Sequence, residues 1–400
     1  MAAAPPSKSA GYALAPPARV LLGPGPSTVS PRVLRAMNVP LIGHLDPVFL
    51  RIMDETKRLL QHVFQTANEL TIPISGTGSA GMEACLINLL EPGDEAVVCV
   101  NGVFGTRMAD IVGRCGATPV LVEAPWGRVI DADDVAAALH RCARPKLVAI
   151  VHAETSTGVW QPLQDISALA HQSGALFVVD TVTSLAGCPV HVDDWGIDAC
   201  YSGTQKCLSC PPGMAPVTFG PRAVDTLRRR TRKVQSWYLD LTMIEKYWGA
   251  ERVYHHTAPI TMNYALYEAL RIVEEEGLEA RWRRHEQNHN ALKAGLAAIG
   301  LALAAQENHQ LWTLNSVRIP DGVDDAAVRG ALLDEFNIEI GGGLGPLKGK
   351  TWRIGLMGES STPANVLLVL GALERVLPRC GHALSAGAAV GAAQRVYAQS

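Results

Sequence analysis

Between Met82 and Gly220 the chain alternates two textures, and this alternation restricts the fold more than any single motif. Helix-patterned stretches (MEACLINLL, FGTRMADIVGRC, DADDVAAALHRC, LQDISALAHQSG) take turns with short apolar runs (EAVVCV, TPVLVE, KLVAIVH, ALFVVDTV), followed by DACYSGT and MAPVTFG. The apolar runs are continuous, as a strand covered by helices on both faces requires. The predicted fold class is α/β, with a large domain whose mostly parallel sheet is flanked by helices. Ahead of it, LLGPGPSTVSP reads as a loop, and PRVLRAMN and PVFLRIMDETKRLLQHVFQ as two lead-in helices.

Past a long helical stretch beginning at APITMNYALYEAL, the short strands TLNSVRIP, IEIGGG and TWRIGLMG interleave with helices at DDAAVRGALLDEF and TPANVLLVLGALERVL. That texture predicts a smaller C-terminal α+β domain. The expected division is an N-terminal arm over 1–20, partly disordered; a large domain over 21–275; a small domain over 276–380; and a low-complexity, disordered tail over 381–400.

With 48% hydrophobic and 18% charged residues the chain has enough apolar material for two cores. A formal net charge of −3 argues against a protein that neutralises nucleic-acid or membrane phosphates. The basic run RRRTRK, Arg228 to Lys233, stands without interleaved aromatics and reads as a solvated helix face. No apolar run is long enough to span a bilayer. Nine scattered cysteines, without a secretory leader, read as reduced thiols, and a cytoplasmic location is expected. Cys207 and Cys210 form a lone C-x-x-C, read as buried small hydrophobes; no metal site is expected.

ISGTGSAGMEA holds G-x-G-x-x-G at Gly76, Gly78 and Gly81, which offers backbone amides and a helix start to an anion. A dinucleotide site needs an unbroken strand before it and a ribose carboxylate after the next strand. Here Pro73 interrupts ELTIPIS, and the next strand ends at Asn101 and Gly102, so an NAD-dependent oxidoreductase is only the remoter alternative. GGGLGPLKGKT is no P-loop either: Leu344 stands where the first glycine belongs. Downstream, Asp180 ends a buried strand and Lys206 follows in CYSGTQK. A strand-end carboxylate, a lysine on a nearby loop and a one-phosphate cup match the needs of pyridoxal phosphate: a pyridinium partner, a covalent amine and an anion cradle.

In LLGPGPS, ISGTGSAGMEA, NGVFGTR, HAETSTGVWQPL, VVDTVTSLAG, CYSGTQKCLSCPPG, YHHTAP and WRIGLMG, the chain resembles the class V, fold-type I pyridoxal phosphate aminotransferases, within them the alanine/serine:glyoxylate group. The resemblance spans roughly residues 20–378. It implies that Lys206 binds the cofactor covalently and that Asp180 pairs with its ring nitrogen. Thr77, Gly78 and Ser79 would hold the phosphate, Gln205 would add a polar cofactor-binding group beside the lysine, Phe104 and Val182 would cover the ring faces, and Ser156 would reach a ring substituent. Arg353, with Gly25 and Ser156, would bind the substrate. Tyr254 and Thr257 would reach the cofactor of a neighbouring subunit, implying a homodimer.

The implied activity is ping-pong transfer of an amino group from alanine or serine to glyoxylate, with no nucleic-acid or membrane partner. Ureidoglycine is the alternative donor; His44, where ureidoglycine-using relatives tend to carry Gln, favours alanine or serine. A cysteine desulfurase would need a nucleophilic Cys on a small-domain loop, and residues 305–360 contain none.

Overall fold

A computed structural model describes residues 14–399; the expected N-terminal arm, 1–20, lies mostly outside them. The seven-stranded central sheet runs, edge to edge, Leu70–Ser75, Met214–Phe219, Ala199–Tyr201, Leu176–Asp180, Pro145–Val151, Glu95–Val100, Thr118–Glu123. Only Met214–Phe219 is antiparallel to its neighbours. The continuous apolar runs divide by alternate residues between two cores. Val97, Cys99, Val148, Ile150, Phe177 and Val179 enter one, and Ala96, Val98, Leu147, Ala149, Leu176 and Val178 the other.

Pro73 does not interrupt its segment, contrary to expectation: Leu70–Ser75 is a strand, with Pro73 opposite Pro216. Pro216 accepts from the Ser202 amide at 2.8 Å, on the side away from Pro73. The Pro73 nitrogen therefore faces the open edge of the sheet, where no ladder donor is needed.

The lead-in helices are Pro31–Ala36 and Pro47–Phe64, each with proline in its first turn and a side-chain cap, from Ser30 and Asp46. Helix Ile260–Glu276 gives way at Gly277 (φ 80°) to helix Leu278–Ala298. This second helix passes between cores: Leu278 and Trp282 pack with the large sheet, Ala291, Leu292 and Leu296 with the C-terminal elements. There Leu314–Arg318, Thr351–Gly355 and Gly341–Gly342 form an antiparallel sheet under helices Asp325–Phe336 and Pro363–Val376. The chain's first described strand, Val20–Leu21, joins this end by pairing in parallel with Ile338–Glu339, and Leu22 enters its core.

The tail is not disordered as expected. Ala388–Tyr397 is a helix, with Ala389 and Ala393 fully buried. Its small residues allow close approach to helix Leu278–Ala298: a Cβ on Gly295 would stand 2.9 Å from the Ala389 carbonyl oxygen. Glu374 caps its start, accepting from the Gly387 and Ala389 amides at 3.0 and 2.6 Å, and Tyr397 donates to Asn288 at 2.7 Å.

The basic run also differs from a plain solvated face. Its helix, Pro221–Arg228, ends at the first arginine, and Arg230 donates to the carbonyls of Asn88 and Leu90 at 2.9 and 2.8 Å. It thereby satisfies orphan acceptors at the end of helix Gly78–Leu89. Cys207 and Cys210 are buried free thiols. Among the described residues no helix is long and apolar enough to cross a membrane, and no cluster of His, Cys, Asp or Glu is arranged to hold a metal.

Candidate active site

The parallel strands deliver their C-terminal ends to one side of the sheet, where side chains from successive loops converge. Asp180, the last residue of its strand, is 2% exposed. Its Oδ1 accepts from the Val182 amide and its Oδ2 from the Tyr201 hydroxyl, each at 2.8 Å. Among the described residues no cation is hydrogen-bonded to it. Burial pushes the carboxyl up to about 7, against the pull of those two donors.

Lys206 lies on the loop after Ala199–Tyr201 and is buried; burial lowers its amine to about 8. Its Nζ donates to the Pro24 carbonyl. Gly25, at φ 107°, passes so close that a Cβ there would be 2.7 Å from Nζ. Only glycine allows both this backbone conformation and this approach. The GPGPS loop thus covers the lysine, tied down by Ser27 donating to the Lys206 carbonyl at 2.7 Å.

Beside them, strand Leu70–Ser75 feeds helix Gly78–Leu89. Thr77 stands at its N-cap with no side-chain capping bond, and Thr77 and Ser79 are exposed. The glycines permit close packing here: a Cβ on Gly78 would meet Val182 Cγ2 at 3.2 Å, and one on Gly81 would meet Tyr201 Cβ at the same distance. The first turn of this helix, with its orphan amides, is therefore held against the loop after Asp180 and against Tyr201. Gln205 Oε1 is buried without a partner. Asn101, where a dinucleotide site would want an acid, donates to the Arg128 carbonyl at 2.9 Å.

A second buried carboxylate, Glu154, escaped the sequence reasoning. It is fully buried and accepts from the Ser156 hydroxyl at 2.6 Å, the Ser156 amide at 3.0 Å and the Phe104 amide at 3.2 Å. Burial raises its carboxyl, against these donors. Helix Val103–Arg114 has Gly102 at its N-cap, which has no side chain to offer, and Glu154 serves that end from another loop. A Cβ on Gly102 would lie 2.4 Å from Glu154 Cδ. The signal was the one that exposed Asp180, a carboxylate just past a buried strand.

Ser156 is enclosed by the same network, its hydroxyl donating to Glu154 and accepting from the Val103 amide at 3.0 Å. Thr155 Oγ1 meets Thr183 Oγ1 at 2.5 Å, on the loop that follows Asp180. Arg353 comes from the C-terminal sheet; its Nε donates to the Gly342 carbonyl at 2.8 Å and its Nη1 to the Thr155 carbonyl at 3.5 Å. It is 8% exposed and has no carboxylate in salt-bridge range among the described residues. Phe104 is half-buried at the start of its helix, with the Arg107 guanidinium 4.9 Å from its ring centre.

Tyr254 and Thr257 are both exposed, and among the described residues neither hydrogen-bonds to the cup or to Lys206. Their segment is anchored beside the cup by a hydrogen-bond chain: Ser75 Oγ to His256 Nε2 at 2.8 Å, His256 Nδ1 to His255 Nδ1 at 2.8 Å, and His255 Nε2 to the Trp237 carbonyl at 3.4 Å. Because that carbonyl only accepts, neutral rings order the chain one way: Ser75 donates to His256, and His256 to His255. Burial and the two neighbouring histidines lower the His256 pKa, favouring this neutral arrangement. Tyr254 packs its ring 5.3 Å from His44. Leu41 (68%), Trp237 (60%) and Val253 (47%) are also exposed, Trp237 stacking on His255 of the same segment.

The family model described as aminotransferase class-V matches residues 23–349. The chain is 44% identical to the (S)-ureidoglycine–glyoxylate transaminase of Bacillus subtilis, over 96% of each chain. It is 42% identical to the alanine–glyoxylate aminotransferase of Rattus norvegicus, covering 94% of this chain and 92% of the other. Among solved structures, the ureidoglycine-glyoxylate aminotransferase of Bacillus subtilis superposes with a TM-score of 0.94 at 45% identity, covering 96% of this chain and 99% of that one. The alanine–glyoxylate aminotransferase of Nostoc sp. gives a TM-score of 0.89 at 52% identity, covering 91% and 96%.

Proposed function

The chain belongs to the class-V aminotransferases, and from that premise we propose that it transfers the amino group of a small amino acid, alanine or serine, to glyoxylate, using pyridoxal phosphate. The observation that carries the cofactor reading is Asp180: a carboxylate buried to 2%, held by a phenol and an amide and lacking a cation. A protonated pyridine nitrogen is the partner that such a group lacks. The uncapped first turn at Thr77–Ser79 fits the phosphate end of the same molecule, and Gln205 would serve it through its amide NH2, since its oxygen and a phosphate both only accept.

When bound, the cofactor supplies a ring that accepts negative charge from the substrate's α-carbon. The chain's own residues do the rest. Lys206, its amine lowered to about 8, would hold the cofactor and serve as the base that moves the α-proton. Asp180 would keep the ring nitrogen protonated. Phe104 and Val182 would cover the ring, and Thr77, Gly78, Ser79 and Gln205 would take the phosphate. Arg353 would receive the substrate carboxylate as a two-pronged donor, and Gly25 brings its loop directly against Lys206. Ser156, through Glu154, fixes the start of the helix that carries Phe104. Tyr254 and Thr257, both exposed, would complete the site of a second subunit in a homodimer.

Ureidoglycine is a second reading for the donor, supported by the 44% identity over 96% of the chain to the Bacillus subtilis transaminase. Glyoxylate is the acceptor named for both sets of relatives. Initial rates with alanine, serine and ureidoglycine against glyoxylate and pyruvate decide between them. Lys206→Ala is expected to abolish turnover and the borohydride-trapped attachment of cofactor to protein; attachment that survives the substitution refutes the assignment of Lys206.

A further inference from the structure

We propose that Arg107 is the fixed positive charge of the phosphate cup, a cofactor-binding role beyond those argued above; it rests on the pyridoxal phosphate reading. Arg107 lies one turn after Phe104 on helix Val103–Arg114, so the two side chains share a face. Its guanidinium stands over the Phe104 ring, and its Nη1 donates to Ser79 Oγ at 3.0 Å. That single side chain therefore links the aromatic proposed to cover the cofactor ring with a hydroxyl of the cup proposed to hold its phosphate.

The other cationic groups around the site are already turned elsewhere. Lys206 donates to Pro24 and faces the ring position; Arg353 donates to Gly342 and Thr155. His256 has both ring nitrogens engaged and is biased toward its neutral form. Among the described residues Arg107 has no carboxylate in salt-bridge range and no acceptor for its other N–H groups, and its side chain is exposed beside the cup. Stacking over Phe104 restricts its rotamers, so little further freedom is lost when it meets an anion. A phosphate dianion at the first turn of helix Gly78–Leu89 would meet helix amides from one side and a planar fork of donors from the other. Lysine in this place would supply the charge without the fork.

The test uses the full-length chain freed of cofactor and titrated with pyridoxal phosphate or with pyridoxal, which lacks the phosphate, followed by quenching of tryptophan fluorescence. Arg107→Met is expected to weaken pyridoxal phosphate binding by roughly 10- to 100-fold, the scale of lost charge-assisted hydrogen bonds, while pyridoxal binding changes by less than about twofold. Arg107→Lys should fall between. Raising salt should weaken pyridoxal phosphate binding more in the wild type than in Arg107→Met. Equal losses for both aldehydes, or no loss for either, overturn the proposal. A wild-type chain that binds pyridoxal phosphate no more tightly than pyridoxal removes the phosphate cup itself, and a chain that binds neither removes the functional reading.

Discussion

Two buried aspartates, at opposite ends of neighbouring strands, differ in whether the fold supplies their counter-charge. Asp198, just before Ala199–Tyr201, is 6% exposed; its Oδ2 accepts from Arg222 at 2.9 Å, His171 at 3.0 Å and the Phe177 amide at 2.7 Å. Asp180, at the end of Leu176–Asp180 and 2% exposed, has two neutral donors and no cation. The first network contains its own cation, whereas the second leaves a buried carboxylate among neutral donors, the arrangement proposed above to receive a pyridinium. Cavity size does not make this distinction. A cleft of about 960 Å³ opens on the Asp198 side, lined by Lys57, His171, Arg222 and Trp248 among others, yet its acid is already neutralised.

The comparison breaks first at Asp180. Asp180→Asn keeps the shape but cannot hold a pyridinium, and should lower kcat/KM by roughly 10²- to 10³-fold while the unfolding midpoint without cofactor stays level or rises. Steady-state rates and a thermal melt on one preparation check both halves. Asp198→Asn should do the reverse, costing about 1–3 kcal/mol by denaturant titration while the folded enzyme turns over within about twofold of wild type. Loss of activity in the folded Asp198 variant would erase the distinction.

The finest test is pH. A carboxyl raised from its ordinary 3.8 to about 7 takes up a proton more readily folded than unfolded. Its effect on the cofactor-free chain is therefore a cost fully present above about pH 7, relieved as pH falls toward 4. The wild-type melting temperature, measured as a difference from Asp180→Asn at each pH, should rise on acidification through that window. Tyr201→Phe, which removes one donor to the carboxylate, should shift the window upward and cost several-fold in kcat. An unchanged difference curve in Tyr201→Phe means that the phenol does not tune this acid.

Asp180 and Lys206 were legible in the sequence because a parallel sheet gathers strand ends, so a carboxylate closing ALFVVD is placed by topology alone. Glu154 obeys the same rule, but its use, serving the start of a helix about fifty residues earlier, appears only when the loops meet. Pro73 was misread because strand order, which puts Leu70–Ser75 at an edge, is not written in the segment itself. The tail was misread for another reason. Alanine and glycine runs read as disorder when they lack a partner and as close packing when they have one, and the partner, Gly295, lies far upstream. The small domain's elements, by contrast, announced themselves through period and caps, as in Thr362 and Pro363 opening Pro363–Val376.

The pairing of Val20 with Ile338 bears on the order in which the molecule can be assembled during synthesis. A ribosome delivers every strand of the central sheet, and the lysine loop within it, before it delivers residue 338. The Pro24–Gly25 segment that covers Lys206 is held to the lysine loop by Ser27, and its other flank, Val20–Leu21, is held only by that late partner strand. Such a long-range closure is slow compared with local helix and sheet formation. A nascent chain halted between about residues 220 and 335 should therefore carry a finished sheet whose lysine is covered by a loop anchored on one flank only, and its Lys206 should be more open to amine-reactive labelling than that of the completed chain.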